Sequence, residues 1–200
     1  MRHFQLLAHP SWVNLLVFIP LSLFLGWRYK RLEISRNHLV FATFFALAFG
    51  FAEAAVVVYL RAATGLLPGY AGTLADVQRL TKGTALYPPL ITQFPQSLLT
   101  IEVLREAATM VMLVSIAVLA AAKPRERTAL FLWMFAIWDI SYYAGLWATI
   151  RWPASLTDFD VLFLIPVPWM AQVWFPLLVS VLTLMAVGFN RKTHESKSLD

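Results

Sequence analysis

Apolar residues fall into five long runs, and the short segments between them hold most of the charge. A helix needs about 20 consecutive apolar residues to cross a hydrocarbon layer about 30 Å thick. The runs predict helices over 12–27, 38–60, 98–122, 128–150 and 168–189. The first is short and contains Pro20, so it is expected to extend back toward Gln5 or to kink, with Trp12 and Trp27 as interface anchors at its ends. In the second, Ala46, Gly50 and Ala54 recur every four positions, a spacing that lets a neighbouring helix approach closely. Only Lys123-Pro-Arg-Glu-Arg127 separates the third and fourth, which predicts an antiparallel pair.

The last stretch, Val161 to Phe189, is longer than one span needs and is interrupted by Pro166, Pro168 and Pro176. It is expected to divide into a short interfacial or dipping piece, Val161–Ile165, and a fifth helix starting near Pro168, where proline suits a first turn. The connection from Ala62 to Gln96 holds four prolines and four glycines, so only a short amphipathic helix over Leu74–Leu80 is expected there. Such a connection serves as a lid, a binding surface or a linker.

Composition agrees with this pattern. Apolar residues make up 60% and charged residues 14%, against about 25% charged in an average soluble domain. Mean hydropathy is +0.67. The fold class expected is an all-α integral membrane protein, a bundle of five transmembrane helices forming one domain over 1–190, with a disordered cytoplasmic tail over 191–200. Arg28-Tyr-Lys-Arg follows the first run where a small-residue cleavage site would stand, so that run is expected to be retained as a helix. With no internal repeat, an inverted-repeat transporter is not supported.

The net charge of +5 is read as a signal of orientation, and no nucleic-acid partner is expected. Arg28, Lys30, Arg31 and Arg36, then Lys123, Arg125 and Arg127, then Arg191, Lys192 and Lys197 fall on one side of a five-span chain, ten of its sixteen basic residues. The positive-inside rule makes that side cytoplasmic, with the N-terminus outside and the C-terminus inside. The setting expected is the cell (plasma or inner) membrane, the partners being the bilayer and a second copy or a partner membrane subunit.

Against this frame, ionisable side chains inside the apolar runs stand out: Glu53, then Glu102, Arg105 and Glu106, then Asp139. A charge at the centre of a membrane helix costs roughly 2.5–3.5 kcal/mol on insertion scales and usually faces a protein interior or a wet cavity. At about 1.5 Å per residue the four acids lie roughly 6–16 Å from the outer helix ends, in the outer half of the bilayer or at its midplane. Glu102, Arg105, Glu106 and Thr109 share one helical stripe; Asp139, Tyr142 and Tyr143 share another; Glu53 shares the close-packing stripe of Ala46 and Gly50. The stripes predict an outward-facing pocket of carboxylates, Arg105 and tyrosines, rimmed by Arg61, Arg151, Trp152, Asp158 and Asp160. A plainer reading competes: Arg105 neutralises its helix neighbours and Glu53 to fix packing, Asp158 and Asp160 cap a following helix, and the tyrosines are interface aromatics.

Residue chemistry narrows the function. The chain has no cysteine, which excludes disulfides, thiolate catalysis and iron–sulfur clusters. Its four histidines lie at the ends of the runs or beyond them, which disfavours haem and zinc. An oxygen-only metal site at Glu53, Glu106 and Asp139 stays open. No serine-nucleophile elbow or phosphate-cradling glycine loop is present. Three classes remain: a pocket that binds a small ligand, cation or protons; an intramembrane enzyme acting on a lipid-linked or hydrophobic substrate by carboxylate acid–base chemistry; and an accessory subunit of a larger membrane complex. A proton or ion path through the protein would need polar residues toward the cytoplasmic side, where Ser115 is nearly alone.

Overall fold

A computed structural model of the chain describes residues 5–63 and 96–192. The expected Leu74–Leu80 helix, its surrounding connection and most of the C-terminal tail lie outside the described residues. The fold is mostly helical. A 3-10 helix, Ser11–Val17, runs into α1 (Phe18–Arg28). Then come α2 (Arg36–Ala63), α3 (Gln96–Ala120) and α4 (Pro124–Ile150). A β-hairpin of β1 (Phe159–Phe163) and β2 (Trp169–Gln172) precedes α5 (Trp174–Asn190). Four helical segments are long and apolar enough to cross a membrane: Ser11–Arg28, Arg36–Arg61, Ser97–Ala120 and Pro124–Ile150; Trp174–Asn190 is a shorter apolar helix. Large apolar side chains such as Phe41, Phe44, Leu104, Val111 and Leu119 are exposed, a surface that water would not tolerate in a soluble monomer but lipid would.

The small-residue stripe of α2 faces α4, and this is the most extensive helix pairing. A methyl group added at Gly50 would sit 2.5 Å from the Trp138 carbonyl, and one at Gly145 would sit 2.9 Å from Ala54 Cβ. Ser141 donates to the Leu47 carbonyl at 2.9 Å, and Trp133 Nε1 donates to Thr43 Oγ1 at 3.0 Å. These contacts advance together along both helices, so α2 and α4 run parallel. α3 packs on α4, and α1 on α5.

One end of the bundle gathers three connections. Glu33 pairs with both Lys123 and Lys192, and Leu32 exchanges backbone hydrogen bonds with Asn190 and Lys192 at 2.9 Å. The two lysines hold the Glu33 carboxyl down at about 2. An apolar core of Leu39, Ala42, Leu113, Leu130, Met134 and Val187 fills this half. At the opposite end, His9 exchanges 2.7 Å backbone hydrogen bonds with Met170, adding the N-terminal segment to the free edge of β2.

Several expectations are corrected. The fifth helix does not begin near Pro168, which stands before β2, and within the expected interfacial or dipping piece Val161–Ile165 the residues Val161 to Phe163 belong to β1. β-Branched and aromatic residues suit a pleated pair, and Pro166 and Pro168 lack the N–H groups a helix would need. The last helix therefore starts at Trp174, with Pro176 in its first turn. The fourth starts at Pro124, not Thr128, because proline is favoured at the first helical position and Glu126 suits the positive end of the helix dipole. Trp27 is a core residue at 5% exposure, so it anchors nothing at an interface. Trp12 remains partly exposed, its ring edge-on to Trp169 at 4.9 Å.

Candidate functional site

Half of the bundle is filled by the apolar core beside Glu33, and the other half encloses a cavity between two smaller apolar clusters. A cavity of about 240 Å³ lies between the later half of α2, the early half of α3, the middle of α4, the hairpin and the start of α5. Glu53, Glu102, Arg105, Glu106, Asp139, Tyr142 and Tyr143 all line it, as do Thr109, Arg61, Asp160 and Ser180. The remaining wall is apolar and aromatic. Phe135 meets Trp138 with tilted rings at 5.3 Å between centres, Trp138 meets Phe163 edge-on at 6.4 Å, and Phe163 meets Trp169 at 5.5 Å.

Four of the five acids join two elements, and Glu102 pairs within its own helix. Arg105 on α3 ion-pairs with Glu53 on α2 and donates from Nε to Glu102 at 2.8 Å. Thr109 Oγ1 donates to Glu53 Oε1 at 2.9 Å, so the most buried carboxylate, at 6% exposure, is fully engaged. Glu106 accepts from the Leu164 backbone N–H at 2.9 and 3.1 Å, tying α3 to the residue just past β1. Asp139 accepts from the Ser180 hydroxyl at 2.8 Å and ties α4 to α5. Asp160 accepts from the Tyr143 hydroxyl at 3.0 Å and ties the hairpin to α4.

The five residues expected at the rim separate. Arg61 and Asp160 line the cavity; Arg151, Trp152 and Asp158 do not. Trp152 is buried at 3% exposure in the cluster beside Tyr143 and Ile150, with the Arg61 guanidinium 4.7 Å from its ring centre. Arg151 takes a left-handed conformation (φ 57°) that ends α4, and its guanidinium lies over Trp147. Asp158 caps no helix: its carboxylate accepts from the backbone N–H groups of Ala154 and Ser155 at 2.8 and 3.2 Å and closes the turn before β1.

The oxygen-only metal site at Glu53, Glu106 and Asp139 is not formed. Among the described residues no three acidic or histidine side chains are grouped to hold an ion, because each of these carboxylates is drawn to a different partner on a different element. Sequence reasoning missed Ser180, the aromatic wall of Phe135, Trp138, Phe163 and Trp169, and the Leu164 N–H. Ser180 was visible as a hydroxyl inside an apolar run. A backbone donor carries no signal in a sequence.

Comparison with protein-family models, with curated proteins and with solved structures returned no match.

Proposed function

We propose that the chain is a five-span protein of the cell membrane, N-terminus outside and C-terminus inside, whose cavity binds a small amphipathic ligand from the outer side. One observation carries the reading: all five charged residues placed inside the apolar runs line the same cavity. Residues kept in a membrane at such cost are expected to face one another or a polar space, and here they do both. The five-span topology is supported by the end that Glu33 gathers: the connections after α1 and α3 and the segment after α5 meet there, and these are the basic segments that the positive-inside rule assigns to the cytoplasm. The cavity lies in the other half, which makes it outward-facing.

Among the described residues the core between the cavity and the Glu33 end is mainly apolar and holds no buried charged side chain, which favours binding over relay. A hollow with convergent polar groups also favours binding over a purely accessory role. Its wall is mixed, with apolar faces from Val57, Leu162 and Val179 beside the acids, and this suits a ligand with a polar head and a short apolar body.

The test is titration of 1-hexanol into the protein in lipid nanodiscs, followed by tryptophan fluorescence, since Trp138 and Trp169 line the cavity. A saturable change that Val57→Phe abolishes by filling the cavity is the expected result. A change that never saturates, or that Val57→Phe leaves intact, sinks the reading.

A further inference from the structure

Charge on the cavity wall is unbalanced. Five carboxylates face two guanidiniums. Arg105 is engaged by Glu53 and Glu102, and Glu106 holds a backbone N–H. Asp139 is served by the neutral hydroxyl of Ser180, while Asp160 accepts from the Tyr143 hydroxyl and has the Arg61 guanidinium as its nearby cation, which leaves the wall with three more acids than bases. A hydroxyl satisfies a lone pair but does not cancel a charge, so an occupant that brings a positive charge is favoured here and an anionic one is opposed.

An independent observation concerns the aromatic wall. The indole N–H groups of Trp138 and Trp169 are buried without an acceptor, although both rings line the cavity. Buried donors of this kind call for a partner, and an occupant bearing an oxygen supplies one. The same ring faces attract a cation lying over them. The two observations ask for complementary groups on one small molecule.

We infer that the cavity takes a small amphipathic amine that also carries an acceptor oxygen, an amino alcohol in its simplest form. Its ammonium is held by Asp139 and Asp160, its oxygen by the indole N–H groups of Trp138 and Trp169, and its short apolar body by the remaining wall. This rests on the binding reading above and adds the chemistry of the head group.

A matched six-carbon series separates the two claims: 2-aminohexan-1-ol, 1-hexanol and hexanoate, each titrated at pH 7 into the full chain in nanodiscs. The amino alcohol is expected to bind at least about tenfold more tightly than the alcohol, the ratio one charge-assisted hydrogen bond supplies. Hexanoate is expected to bind more weakly than the alcohol. Asp139→Asn and Asp160→Asn, made separately, should bring amine and alcohol within about twofold of each other. If either variant loses its helical circular dichroism, the wild-type ranking with the other variant decides. If the alcohol or hexanoate binds as tightly as the amino alcohol, and Val57→Phe still abolishes binding, the amine inference falls and the cavity reading stands. If none of the three saturates, both fall.

Discussion

Replacing Arg105 with Met should expose what holds α3 to α2. The guanidinium pairs with Glu53 and Glu102, whose side chains are only 8% and 12% exposed, while its own is 25% exposed. Removing one partner of a buried ion pair costs about 3–5 kcal/mol, because the other charge is left unpaired. Partial solvent access to Arg105 lowers the expected loss to about 2–3 kcal/mol.

Glu53→Gln removes the charge that Arg105→Met strands. The double variant should therefore be more stable than the sum of the singles predicts, with a coupling of about 1–3 kcal/mol. Far-UV circular dichroism during denaturation in bicelles, for wild type, both singles and the double, supplies every quantity. A loss in Arg105→Met below about 0.5 kcal/mol, additive with Glu53→Gln, would refute the reasoning.

Gly50→Ala should cost about 1–3 kcal/mol in the same assay, since the new methyl meets the Trp138 carbonyl and the Ser141 side chain, whereas Gly188→Ala, which meets nothing within 4 Å, should not destabilise. Ser180→Ala should cost about 0.5–1.5 kcal/mol by removing the hydroxyl bonded to Asp139. Glu33 is exposed, and its carboxyl is lowered from 4.5 to about 2 by Lys123 and Lys192. A lowered carboxyl contributes stability above its unfolded value and loses it as pH falls. The melting difference between wild type and Glu33→Ala should thus be steady from pH 8 to pH 5 and should narrow only below about 4.5; narrowing above pH 5 would contradict the pairing.

Much of this architecture is written in the spacing of residues. The runs that became α2, α3 and α4 start and stop within four residues of their expected bounds, because length and hydropathy decide where an apolar helix can lie. The stripes that carry Glu53, Arg105 and Asp139 follow from 3.6-residue periodicity, and the Ala46–Gly50–Ala54 stripe meets α4 as its spacing implied. The hairpin was hidden for a physical reason. A short apolar run such as Val161–Ile165 reads the same as strand or helix until its partner is known, and that partner lies beyond two prolines. The places of Trp27, Trp152 and Asp158 depend on packing and turn geometry that no local pattern encodes. The individual partners of the acids, a serine on α5 and a backbone N–H past β1, are likewise set by tertiary structure.

The central claim is that the charges within the apolar runs line one cavity reached from outside the cell. The chain has no native cysteine, so single cysteines report without background. Val57 lines the cavity one turn beyond Glu53, and Ser35 lies in the connection between α1 and α2 at the Glu33 end. Intact cells carrying Val57→Cys or Ser35→Cys are treated with a small, membrane-impermeant cationic methanethiosulfonate. The account predicts that Val57→Cys reacts in intact cells and is protected by 1-hexanol, while Ser35→Cys reacts only after permeabilisation. Reaction of Ser35→Cys in intact cells, with Val57→Cys modified only after permeabilisation, would contradict it.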